Sequence, residues 1–127
     1  MDIKEISGNS LSYIGDAVFT LHVREYFIMH RYQSSKSLQK LCNGYNSAQG
    51  QSRVFHRLND EGFFTEAELE AYRRGRNHIG HIPKNGDLAS YECASGLEAI
   101  CGYLYLSDPQ RLEQFFQKVF EGGIDNA

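Results

Sequence analysis

The sequence predicts an all-α chain of five to seven helices, and three observations carry that expectation. Apolar residues recur at intervals of three and four along most of the 127 positions, which is the spacing of a helix face. Apolar–polar alternation never persists beyond a few residues, so no strand is expected. Only two prolines occur, Pro83 and Pro109, and both stand where a helix should break or begin.

The first helix is expected from about Ser10 to Met29, with Asn9 or Ser10 as its N-cap. Leu11, Ile14, Val18 and Leu21 make one apolar stripe on it, and Tyr13, Phe19, Val23 and Phe27 a second. A helix apolar on two faces is buried, or shared between a core and a partner. Ser35–Gly44 and Ala48–Asn59 read as the next two helices, and Gly62-Phe-Phe64 as the joint before a fourth. Thr65 caps that fourth helix. Glu66 and Glu68 fall in its first turn and Arg73, Arg74 and Arg76 at its end, each sign where the helix dipole favours it. Asn77 to Gly86 is a polar loop rich in Gly and His. Asp87 caps a fifth helix that reaches about Leu106. Ser107-Asp108-Pro109 starts the last, with Leu112, Phe115, Phe116, Val119 and Phe120 inward and Gly122-Gly123 at its end.

Residues 1–127 are expected to form one domain with a sizeable core, given the length and a hydrophobic fraction of 41%. Cys42, Cys93 and Cys101 are odd in number and scattered, which suits a reducing compartment. The N-terminus lacks a basic-then-apolar leader pattern, and no apolar run approaches a membrane span. A cytoplasmic protein with no membrane partner is expected. The net charge of −3 argues mildly against nucleic acid, but its distribution argues the other way. Acids crowd into Asp60–Glu70 and the C-terminal end, whereas Arg73 to Lys84 carries four cations and two histidines without an acid.

Two helices each carry an acid in an otherwise apolar middle. Asp16 is flanked by Gly15 and Ala17. Glu98 has Ala94, Ser95, Cys101 and Gly102 three and four positions away. Small residues let two helix backbones approach closely, so a crossing at these faces would bring the two carboxylates together. Paired carboxylates repel unless a cation lies between them, and oxygen ligands of this kind suit Mg²⁺. The plainer alternative is a pair of half-exposed structural acids.

Tyr13-Ile-Gly-Asp-Ala-Val-Phe19 and Leu97-Glu-Ala-Ile-Cys-Gly-Tyr-Leu-Tyr-Leu106 resemble the two catalytic helices of the ribonuclease III family. Arg73-Arg-Gly-Arg-Asn77, Pro83-Lys-Asn85 and Tyr91 resemble its Mini-III branch more closely. The resemblance spans roughly residues 9–120. It implies the helical endonuclease-domain fold of that family, with no double-stranded-RNA-binding domain following it. It implies a Mg²⁺-dependent endoribonuclease, with Mn²⁺ able to substitute, that cleaves double-stranded RNA as a homodimer and leaves 5′-phosphate and 3′-hydroxyl ends. Asp16 and Glu98 align with the catalytic, metal-binding acids. The branch's usual substrate is a precursor of large-subunit (23S) ribosomal RNA; whether a ribosomal protein assists is left open. Larger family members carry further acids at the positions of Asn9, Ser12 and Ser95, so one or two metals per site also stays open.

For RNA contact the expected residues are Arg73, Arg74, Arg76, Asn77, Lys84 and Asn85, which supply cations for phosphates and amides for hydrogen bonds. Arg53, His56 and Arg57 form a weaker basic cluster that reads better as an ordinary solvated face. His78 and His81 could suggest zinc, but the cysteines lack metal-site spacing. No nucleophile elbow or phosphate-binding glycine loop is present. The rival reading is a non-catalytic helical RNA-binding or ribosome-associated dimer that keeps the fold, against which stands the retention of both acids. The dimer expectation draws on Tyr13, Phe19, Val23 and Phe27 as apolar surface beyond the needs of one core.

Overall fold

A computed structural model describes residues 1–30, 34–76 and 87–121. Among them are a single 3₁₀ turn, Ile3–Glu5, and six α-helices, with no strand. The helices are α1 (Gly8–His30), α2 (Ser35–Asn46), α3 (Ala48–Asp60), α4 (Glu66–Arg76), α5 (Leu88–Ser107) and α6 (Pro109–Phe120). The all-α expectation holds, and the helix boundaries fall within a few residues of those expected.

The first cap differs. The Ser7 hydroxyl, rather than Asn9 or Ser10, accepts the Ser10 N–H at 3.1 Å, so α1 starts earlier than predicted. Elsewhere the caps follow the sequence. Asp87 accepts from the Ala89 N–H, and Asp108 accepts from the Arg111 N–H ahead of Pro109 at the first turn. Gly62 supplies the joint before α4 with φ +72°, a conformation that costs a residue without Cβ little.

Helix α5 is the axis of the molecule. It packs on α1, α3 and α4, and Leu97, Ala99, Ile100 and Cys101 are fully buried on it. Against it α1 buries Leu11, Val18, Phe19, Val23 and Phe27, and α6 adds Phe115, Phe116 and Val119. The two stripes expected on α1 are therefore divided differently. Phe19, Val23 and Phe27 belong wholly to the monomer core, whereas Tyr13 is 84% and Leu21 63% exposed. The buried arc is centred on Gly15, whose contribution to any hydropathy pattern is small, and Tyr13 and Leu21 lie on the arc facing away from it.

Glycines set the α1–α5 crossing. A Cβ at Gly15 would overlap the Glu98 carbonyl, and one at Gly102 would overlap the Leu11 carbonyl. The two backbones thus touch directly, which any larger residue would prevent.

The start of α4 is clamped to α6. Thr65 and Glu68 form a reciprocal capping box: the Thr65 N–H donates to Glu68 Oε1 at 3.0 Å, and the Glu68 N–H to Thr65 Oγ1 at 3.2 Å. Glu68 is 2% exposed, and Arg111 meets it with Nε at 2.8 Å from Oε2 and Nη2 at 2.9 Å from Oε1. Arg111 Nη2 also donates to the Phe63 carbonyl at 2.7 Å, and the guanidinium lies 4.0 Å from the centre of the Phe63 ring.

Candidate active site

Because Gly15 rests on the Glu98 carbonyl, the next residue of α1, Asp16, comes beside the Glu98 side chain. The charge of the Asp16 carboxylate bears directly on the Glu98 carboxyl. Burial pushes the Glu98 carboxyl up from its ordinary 4.5 to about 8, and the charge of Asp16 pushes the same way. The crossing inferred from the small residues is the one observed.

A third residue joins the pair that sequence reasoning missed. Gln51, on α3, is 1% exposed, and its Nε2 donates to Glu98 Oε2 at 3.2 Å and to the Asn46 carbonyl at 3.5 Å. This contact pulls the Glu98 carboxyl downward, against the two stronger effects. Gln51 Oε1 and Asn46 Oδ1 are buried without a hydrogen-bond partner. A signal was there to be read: Gln51 stands in register with Val54, Phe55 and Leu58 on the inward stripe of α3, where a polar side chain needs a reason.

Two adjoining carboxylates beside an unsatisfied amide oxygen fit a divalent cation that prefers oxygen ligands. Among the described residues no cluster of three His, Cys, Asp or Glu side chains forms.

Residues 9–109 match the family model of the Ribonuclease III domain. The chain belongs to the ribonuclease III family. It is similar to Mini-ribonuclease 3 of Streptococcus pneumoniae, at 35% identity over 115 residues covering 89% of this chain and 90% of that relative. It is similar also to Mini-ribonuclease 3 of Staphylococcus aureus, at 34% identity over 119 residues covering 92% and 89%. A crystal structure of a Fusobacterium nucleatum protein shares the fold, with a TM-score of 0.83 and 24% identity over 95% of this chain and 98% of that one. The chain is an endoribonuclease, a hydrolase, of the Mini-ribonuclease 3 type. Enzymes of the ribonuclease III family act on double-stranded RNA and generally use a divalent metal.

At the positions where larger ribonuclease III enzymes carry more acids, this chain has built a helix staple. Ser12 Oγ donates to the Ser95 carbonyl at 2.8 Å, and Ser95 Oγ lies 3.2 Å from Ser12 Oγ and 3.1 Å from the Gly75 carbonyl. These two hydroxyls tie α1, α5 and the end of α4 together. Asn9 is exposed in the first turn of α1.

The staple, whose serines stand one helical turn from Asp16 and from Glu98, also fixes where the arginines of α4 emerge. They differ in what they already hold. Arg73 pairs with Glu70 at 3.1 Å and Glu66 at 3.9 Å. Arg74 is half-buried and donates to the Ile6 carbonyl, anchoring the N-terminal turn. Arg76 is exposed, 5.9 Å from the centre of the Tyr72 ring. Asn77, Lys84 and Asn85, with His78 and His81, lie outside the described residues.

Two other basic groups divide in the same way. Arg57 donates to the Lys118 and Val119 carbonyls at 3.0 and 2.9 Å, and Arg53 to the Gly44 carbonyl at 3.5 Å, so that cluster serves the fold. Arg24, Lys36 and Lys40 instead line an open groove of about 950 Å³ between α1 and α2, together with Thr20, Asn43 and Asn46. Asn46 is one of its lining residues, and the Asn46 carbonyl accepts from the Gln51 amide that also donates to Glu98. Sequence reasoning passed over these three cations because they are spread over two helices.

Proposed function

We propose that this endoribonuclease cleaves double-stranded RNA with Mg²⁺ as a cytoplasmic homodimer, and that its substrate is a precursor of 23S ribosomal RNA. The Asp16–Glu98 pair carries the reading of the chemistry. The ribosomal substrate rests on the resemblance to the Mini-III branch.

Asp16 and Glu98 would hold the ion, with Mn²⁺ able to replace it. When bound, Mg²⁺ polarises the scissile phosphate and lowers the pKa of attacking water. Glu98 must give up its proton to bind, so affinity rises with pH up to about 8. Gln51 keeps Glu98 turned toward Asp16 through its amide N–H. Arg76, with Asn77, Lys84 and Asn85 beyond it and Arg73 and Arg74 before it, contributes to the phosphate-binding edge, and the Arg24–Lys36–Lys40 groove is a second track for the backbone. Hydrolysis puts the water oxygen on phosphorus and the electron pair on the 3′ oxygen, giving 5′-phosphate and 3′-hydroxyl ends.

The test is incubation of long double-stranded RNA with the protein and Mg²⁺ beside Asp16→Asn. The parent is expected to cut, the variant to leave the RNA whole, and EDTA to stop the parent. Equal cutting by both proteins would remove Asp16 from the site. Arg76→Ala is expected to bind RNA more weakly and to lower the salt slope of binding by about 1, with an unchanged melting temperature. Arg74→Ala should lower the melting temperature as well, because the Ile6 carbonyl loses its donor. An unchanged salt slope for Arg76→Ala removes that contact.

Pairing is supported by an apolar stripe that the monomer leaves in water: Tyr13, Leu21 and Ile28, the last 53% exposed. Leu21→Glu places a charge in that stripe. The parent is expected to sediment as a dimer at micromolar concentration and Leu21→Glu as a monomer. A monomeric parent would dispose of the dimer.

A further inference from the structure

Gln51 is more than a spacer between α3 and α5. It is a polar side chain, 1% exposed, on a stripe otherwise made of Val54, Phe55 and Leu58. Its Nε2 donates to Glu98 Oε2 at 3.2 Å, so the amide lies at the edge of the acid pair. Its Oε1 is buried and unpartnered, and so is Asn46 Oδ1 nearby. Buried amide oxygens are almost always hydrogen-bonded or bound to something. The amide that donates to Glu98 thus carries, on its other atom, a buried oxygen with no donor of its own. A hydrated divalent cation supplies what this arrangement lacks: positive charge for the carboxylates, and water protons or a direct bond for the amide oxygen.

The position also answers a deficit. Ser12 and Ser95 are committed to the staple between α1, α5 and α4 and cannot turn to the acid pair without breaking it. Among the described residues, α3 brings a further side-chain amide to Glu98 through Gln51.

We propose that Gln51 is a positioning residue of the metal site, holding Glu98 with its amide N–H and offering its buried carbonyl oxygen to the bound ion or its water. This rests on the reading of Asp16 and Glu98 as the metal-holding pair. A neutral third group leaves the site with a charge of −2 against Mg²⁺, enough to neutralise it and little more.

The test measures Mn²⁺ binding to the full-length protein without RNA, by electron paramagnetic resonance, for the parent, Gln51→Leu, Gln51→Glu and Asp16→Asn. Leu matches Gln in size and suits the apolar stripe, so thermal melting in EDTA should show Gln51→Leu folded. Its Mn²⁺ affinity is expected to fall about 10- to 100-fold. Gln51→Glu restores an oxygen and adds charge, so it should bind Mn²⁺ at least as tightly as the parent, at the cost of a lower melting temperature without metal. A purely structural role predicts that both variants lose Mn²⁺ equally, or that neither does, and either outcome overturns the proposal. If Asp16→Asn abolishes binding while Gln51→Leu retains it, Gln51 falls and the acid pair stands. If Asp16→Asn also binds as the parent does, the acid pair itself falls. A parent that retains no Mn²⁺ overturns the proposal and leaves the cleavage assay to judge the pair.

Discussion

Glu98→Gln is expected to stop cleavage and, in the same molecule, to raise the melting temperature of the metal-free protein. On the proposed reading of Asp16 and Glu98 as the metal-holding pair, the first effect follows from the loss of one of its two carboxylates, and a fall of about 10³-fold or more is expected. The second follows from the sign of the pKa displacement. Glu98 sits at about 8 in the folded protein against an ordinary 4.5, because burial and Asp16 both disfavour its charge. A carboxyl raised in this way binds its proton more tightly folded than unfolded. Its favourable contribution is therefore complete below about 4.5 and is lost as pH rises toward 8. At pH 8 and above the parent carries the full penalty of a charged, half-buried carboxylate beside another. An amide of the same shape carries none, and a gain of about 1–3 kcal/mol is expected, worth roughly 4–10 °C in melting temperature. Melts in EDTA at pH 5.5, 7 and 8.5 should show the two proteins diverging with pH. A Glu98→Gln variant that melts below the parent at pH 8.5 would contradict this account.

Arg111→Ala is the second large effect, and it is far from the chemistry. Glu68 is 2% exposed and its carboxylate is met by Arg111 through two hydrogen bonds of 2.8 and 2.9 Å. Removing the guanidinium leaves that charge buried with only the Thr65 N–H on Oε1, and also orphans the Phe63 carbonyl. A loss of about 3–5 kcal/mol is expected from urea unfolding. The double variant Glu68→Leu with Arg111→Met should recover most of it, since an apolar pair leaves no buried charge. If the double variant is as unstable as Arg111→Ala, the loss is one of packing and not of charge. Because the clamp holds the start of α4 while the Ser12–Ser95–Gly75 staple holds its end, Arg111→Ala should also loosen Arg76 and weaken RNA binding.

Much of this was legible in the chain. The helices follow from apolar spacing and from Asp87, Asp108 and Thr65, whose capping chemistry is local. The acid pair was legible because glycine and alanine beside a mid-helix acid announce a close crossing. What was hidden is what depends on a third element. Which arc of α1 is buried could not be counted from hydropathy, since its centre is Gly15; Phe19, Val23 and Phe27 were accordingly read as surplus surface when they are core. Glu68 read as a dipole-favoured acid, which is true of its place in α4, but its partner is 43 residues away. The pattern Thr65-x-x-Glu68 could have disclosed the capping box; nothing local could have disclosed Arg111. Gln51 carries no charge to mark it as a site residue, and only its register with Val54 and Leu58 on the inward stripe of α3 sets it apart.

The distance between the two acids is gauged by main chain, because Gly15 bears on the Glu98 carbonyl and Gly102 on that of Leu11. A spacing referenced to backbone is indifferent to the sizes of the side chains around it. The Phe and Leu core beyond is no part of that contact, so repacking it is expected to leave the Asp16–Glu98 spacing in place. The Asp16–Glu98 spacing is thus set at Gly15 and Gly102, away from the Phe and Leu core, although Glu98 itself bears on both cleavage and stability.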